Sequence, residues 1–199
     1  MATAHKLEAG AVKWMPYASG VLIIGILAAM HGCVSPNEPD NSGSDSNTYI
    51  DSERGVQISG IAGWTVTPDN QDPFIRCTIT KDVYTDFQPR VTVSAEQWSG
   101  AMPDYPTYTS QITASMKADT ALYDSIAIRE ETTRLIDGEV TGEIHVVAVY
   151  KGYTTRYEFR QNFDFRNGHV VVFTFLDIAS RFAQTDTAFA EIRKTIQFN

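Results

Sequence analysis

From Tyr153 to Phe165 the chain alternates strictly. Tyr153, Thr155, Tyr157, Phe159, Gln161, Phe163 and Phe165 take one parity; Thr154, Arg156, Glu158, Arg160, Asn162, Asp164 and Arg166 take the other. Successive side chains of a strand point to opposite faces, so this pattern predicts a long antiparallel strand with one aromatic face and one charged, wet face. Turn dipeptides bracket it: Lys151-Gly152 before it and Asn167-Gly168, a strong hairpin signal, after it. Ile144–Tyr150 and His169–Phe175 read as the neighbouring strands of a meander. Shorter strand patterns occur at Val56–Ile58, Ile75–Ile79 and Val91–Val93, and another starts at Ile126 and Ile128 and is turned by Asp137-Gly138. Gly60, Gly63 and Trp64 mark a tight connection.

Two stretches change to a helical period. After Pro106-Thr107, Tyr108, Ile112 and Met116 recur every fourth residue and share one helix face. Near the end, Phe182, Phe189, Ile192 and Ile196 form a second apolar stripe, with Asp186 as the expected N-cap of a helix running to about Ile196. Strands, a helix, a meander of long strands and a closing helix predict an α+β domain, an antiparallel sheet with helices packed on it.

The N-terminal region follows a different logic. Lys6 and Lys13 precede an apolar run from about Tyr17 to Met30. That run is shorter than the ~20 residues of a spanning helix and suits the apolar core of an export signal. It ends at Met30-His31-Gly32-Cys33, followed by a polar stretch from Val34 to Asn47 rich in Ser, Asn, Asp and Pro. The segment resembles the lipobox of bacterial lipoproteins. The resemblance implies that Cys33 is lipidated and becomes the first residue of the mature chain. Residues 1–32 are then a signal peptide, 33–48 the lipidated cysteine and a tether, and 49–199 a single domain. Diacylation supplies two chains, enough for stable anchoring. Val34 stands where an Asp would retain an enterobacterial lipoprotein in the inner membrane, which favours the outer one. The alternative is an uncleaved signal anchor with Cys33 an ordinary thiol.

Composition narrows the partners. Net charge is −8, and −9 once Lys6, Lys13 and Glu8 are removed, so a broad patch for nucleic acid or anionic headgroups is not expected. Two cysteines exclude a disulfide framework. Cys77 shares a strand face with Ile75 and Ile79 and is expected to be a buried core thiol.

Candidate chemistry is sparse. The mature chain has two histidines, His145 and His169, both at strand positions, with no His-x-x-x-His or Cys-x-x-Cys spacing for zinc. A nucleophile elbow and a phosphate-cradling glycine loop are also missing. Asp40 and Asp45 lack the glycine and terminal Glu of a calcium loop. Glu130-Glu131 and the Glu139/Glu143 pair are expected on solvated strand edges, and no cofactor is expected. Arg156, Glu158, Arg160, Asp164 and Arg166 form a charged stripe, Arg156, Glu158 and Arg160 foremost, that could dock a partner or merely pair across strands on a wet face. Trp98 is either an exposed interface anchor or a cap on the core.

Across residues 49–199 the order of elements resembles the PsbP-like fold, shared by Mog-type proteins and DcrB-type bacterial lipoproteins. Three stretches carry the resemblance: Tyr49 through Val56-Gln57-Ile58 to Gly63-Trp64, the meander Val140–Phe175 with its two turns, and Phe182–Phe198 as closing helix and terminal strand. It implies an α/β/α sandwich and a non-enzymatic accessory role, on fold analogy alone. The expected function is therefore a lipid-anchored cell-envelope protein that binds the membrane through its lipid and another envelope protein through its domain, without catalysis. Two alternatives stand beside it. One is an envelope hydrolase using His145 or His169. The other is a small-ligand carrier using the face of Tyr157, Phe159 and Phe163, which fails if the C-terminal helix covers that face.

Overall fold

The computed structural model describes residues 47–69 and 71–199. The apolar run, Cys33 and the calcium-like segment lie outside the described residues. Ten strands and two helices follow in order: β1 (Thr48–Asp51), β2 (Val56–Ser59), β3 (Trp64–Pro68), β4 (Ile75–Lys81), β5 (Arg90–Gln97), α1 (Tyr105–Ala118), β6 (Tyr123–Ile136), β7 (Glu139–Tyr150), β8 (Arg156–Arg166), β9 (His169–Ile178), α2 (Phe182–Arg193) and β10 (Gln197–Phe198). Seven strands form one antiparallel sheet in the order β3-β4-β5-β9-β8-β7-β6, and β1-β2-β10 form a small second sheet.

The meander is held by its turns. Asp137-Gly138 and Asn167-Gly168 place both central residues at positive φ (50° and 80°, 47° and 74°), which matches the right-handed twist of the flanking strands. These turns fix the registers of β6 on β7 and of β8 on β9, putting Arg134 opposite Thr141 and Phe163 opposite Val172.

Each face of the sheet has its own core. On one side α1 buries Tyr108, Ile112 and Met116 against Ile144, Val146, Tyr157, Phe159, Phe163, Val172 and Leu176. Asp104 caps this helix, its carboxylate accepting from Thr107 N at 2.7 Å. On the other side α2 and the small sheet bury Phe182, Phe189, Ile192, Val56 and Ile58 against Cys77, Ile79, Val91, Val93, Phe173 and Phe175. The result is the expected α+β sandwich, with Cys77 fully buried.

Several expectations are corrected. β8 begins at Arg156, because Tyr153–Thr155 continue the turn after Lys151-Gly152. α2 begins at Phe182, four residues before Asp186, which lies inside the helix and faces Arg160. β3 is a full strand where only a connection was expected; its Pro68 is tolerated because β3 is a sheet edge. The charged parity of β8 is wet only at its start: Arg156 is exposed, α2 lies against Arg160, and Asn162 and Asp164 are buried. The face carrying Tyr157, Phe159 and Phe163 is indeed covered, but by α1 and not by the C-terminal helix. With Phe159 and Phe163 fully buried, the carrier reading loses its surface.

Candidate interaction surface

The α2 side of β6, β7 and β8 carries a charged network built around one buried carboxylate. Glu143, on β7, has no exposed surface and is the centre. Arg134 of β6 grips it with two hydrogen bonds, Nε to Oε2 at 2.6 Å and Nη2 to Oε1 at 2.7 Å. Asn162 of β8 donates Nδ2 to Oε2 at 2.9 Å. Arg160 lies 3.5 Å from Glu143 and 3.5 Å from Asp186 of α2. Burial by itself pushes the Glu143 carboxyl up; the hydrogen bonds from Arg134 and Asn162 more than reverse it, and the group sits below the usual glutamate range. Arg193 of α2 lies over the Phe175 ring at 4.7 Å, and burial lowers its pKa.

Glu143 was expected on a solvated edge beside Glu139 and is instead consumed by this network. Glu139 pairs with Arg166, and Glu130 lies 3.8 Å from Arg160. None of these carboxylates is left facing another across a cleft. Among the described residues there is no cluster of three or more metal-ligating side chains.

Toward the Arg156 end of β8 the network opens. His145 Nε2 meets Glu158 Oε1 at 2.7 Å across β7 and β8, and the Phe182 ring stacks on the imidazole at 5.7 Å. The histidine therefore lies under the start of α2, satisfied by a carboxylate and a ring. Beside it runs an open groove of about 540 Å³. Val147 and Ile178 give it apolar surface; Arg129, Arg156, Thr155, Glu158 and Ser180 bring polar groups. Arg129 and Arg156 are exposed, and among the described residues neither guanidinium has an ion-pair partner. No hydrogen bond among the described residues joins Ser180 to His145, so the groove lacks the nucleophile–base contact of a serine hydrolase.

The four residues expected to form one partner surface separate. Arg156, Glu158 and Arg160 lie on the α2 face. Trp98 caps the other core, packed edge-on against Tyr108 and Phe165 and donating Nε1 to Ala101 O at 3.2 Å. Its backbone N–H bonds Gly168 O, at the β8–β9 turn, so the length of β8 lies between it and Arg156, roughly 33 Å. His169 sits at that same turn, its Nδ1 2.9 Å from Asn167 O, far from His145. Arg129 and Ser180 were not anticipated as members of a site. Arg129 falls at a bulge in β6 that breaks the alternation, and Ser180 falls in a loop whose course no periodicity records.

No protein-family model and no curated protein matches the sequence. Solved structures do. Cyanobacterial PsbP (CyanoP) from Synechocystis aligns with a TM-score of 0.59 at 10% identity, over 82% of this chain and 99% of its own. LpqN, involved in cell envelope biogenesis of Mycobacterium tuberculosis, aligns with a TM-score of 0.56 at 10% identity, over 79% of this chain and 87% of its own. Identities this low carry the architecture and not the activity. The domain has the PsbP-like α+β fold.

Proposed function

We propose that this chain is a lipid-anchored cell-envelope protein whose domain is a non-catalytic, partner-binding module. Its contact is the groove between Arg129, Arg156 and Ser180. The observation that carries the reading is the pair of exposed, unpaired arginines on an acidic domain, flanking apolar surface at Val147 and Ile178. Elsewhere on this face Arg134, Arg160, Arg166 and Arg181 are tied to carboxylates, and Arg193 is buried over the Phe175 ring. Two free guanidiniums beside apolar surface suit an acidic protein segment, since arginine is a favoured interface anchor. The likeness to LpqN, which is involved in cell envelope biogenesis, supports the address, and the lipobox resemblance at Cys33 supports the anchor.

Two experiments test the two halves. Replacing Cys33 with Ser is expected to abolish palmitate labelling and release the protein from the membrane fraction; unchanged labelling overturns the anchor. Crosslinking in intact envelopes is expected to trap a discrete partner with the wild type and not with Arg129→Glu/Arg156→Glu.

A second reading, an envelope hydrolase, is favoured by the 2.7 Å His145–Glu158 pair at the rim of the groove. Turnover lost in His145→Ala, without any trapped partner, would establish it over the first.

A further inference from the structure

The point where the chain enters the domain indicates which end of it meets the bilayer. Asn47 donates Nδ2 to Trp64 O at 2.6 Å and accepts from Val66 N at 2.7 Å, at the start of β3. Trp64 pairs with Lys81, the last residue of β4. The chain therefore enters beside the loop that joins β4 to β5.

That loop has a membrane-interface composition. Val83 is 80% exposed and Tyr84 45%. Lys81 has no ion-pair partner among the described residues. Of the acidic neighbours, Asp86 is ion-paired with Arg181 at 2.6 Å, while Asp82 accepts only from the neutral Thr65 hydroxyl at 2.6 Å and has no cationic partner among the described residues. An aliphatic and an aromatic body beside a free ammonium match the acyl–headgroup boundary, where rings sit at headgroup level and lysines reach the phosphates. Tyr153, 42% exposed in the β7–β8 turn, lies at the same end of the sheet.

Tether length agrees. Cys33 through Ser46 is 14 residues. Fourteen residues of polypeptide span at most about 46–50 Å. A domain of about 150 residues is about 40 Å across. The Asn47 end is thus held near the surface, and the far end reaches it only with the tether nearly taut.

We propose that the Lys81–Tyr84 loop seats the domain on an anionic lipid surface, Val83 and Tyr84 at the acyl boundary and Lys81 at the lipid phosphates. This rests on lipidation of Cys33. Three residues beside an anchor do not need the broad basic patch that the acidic domain lacks.

The test places a nitroxide on Val83→Cys or on Leu135→Cys in the full-length protein, in vesicles containing phosphatidylglycerol. Leu135, 69% exposed, sits near the β6–β7 turn at the opposite end. Cys77 is fully buried and does not compete for label. Relaxation by oxygen is expected to exceed relaxation by a water-soluble nickel chelate at residue 83, with the reverse at 135. Nickel preference at both sites, in protein that floats with the vesicles, overturns the proposal alone. Oxygen preference at 135 and not at 83 also overturns it, as does exclusion of nickel at 83 only in native envelopes, which would mean a protein covers the loop. Wild-type protein that neither floats nor takes up palmitate overturns the anchor and this proposal with it.

Discussion

Glu143→Gln is the sharpest probe of the charged face. The substitution keeps the shape and removes the charge that Arg134, Arg160 and Asn162 converge on. Losing one partner of a buried ion pair costs about 3–5 kcal/mol. Arg134 retains 39% exposure and can recruit water, which brings the expected loss to about 2–3 kcal/mol. For a domain of this size that is a fall in Tm of about 4–12 °C. Urea unfolding followed by circular dichroism measures it directly. The carboxyl also makes the difference depend on pH. Its folded pKa lies below the ordinary glutamate value of about 4.3, so the unfolded state binds more protons between the two values. The stabilisation is fully present above the ordinary value and is lost as pH falls through the folded one. The gap between wild type and Glu143→Gln is therefore expected to be constant near neutrality and to shrink on acidification below about pH 4. A loss under about 0.5 kcal/mol, the size of an ordinary surface change, or a gap that widens with acid, would refute the reasoning.

Gly142→Ala is expected to destabilise by about 1–3 kcal/mol, because the new Cβ would lie 2.1 Å from Phe163 Cε2; urea melts of the single variants and the double variant with Phe163→Leu should show coupling between the two sites. Asp177 is fully buried and accepts from Arg181 Nη2 at 2.6 Å, Thr185 Oγ1 at 2.6 Å and Ile178 N at 2.7 Å. Asp177→Asn is expected to cost about 2–4 kcal/mol and to speed amide exchange in the first turn of α2. Burial pushes the Cys77 thiol up, so a thiol reagent at neutral pH is expected to label it only as fast as the domain unfolds; rapid labelling of the native state would place it outside the core.

The meander was legible because its signals are local and agree with each other. Parity in β8 and positive-φ dipeptides at the β6–β7 and β8–β9 hairpins set strand, register and turn together. What parity could not reveal was the second layer. Arg156, Glu158 and Arg160 alternate as a wet face would, yet α2 returns over that face after β9, and the long-range contact leaves no local periodicity. The start of α2 was misplaced for a related reason: Asp186 has the chemistry of an N-cap, but Phe182 and Thr185 pack inward and extend the helix backward. Glu143 could have been found. The Asp137-Gly138 register sets Arg134 opposite Thr141, two residues from Glu143 on the same face and thus within diagonal reach. The groove had no such signal, because Arg129 sits at a bulge and Ser180 in a loop.

The central claim is that the groove at Arg129 and Arg156 is a docking surface on a membrane-anchored domain. A photo-crosslinker at Ser180 in intact envelopes tests it most directly. The expected result is one discrete protein adduct, lost when Arg129→Glu/Arg156→Glu is introduced and retained in Leu135→Ala at the far end. An adduct that persists through the charge reversal, or no adduct together with turnover abolished by His145→Ala, would contradict it.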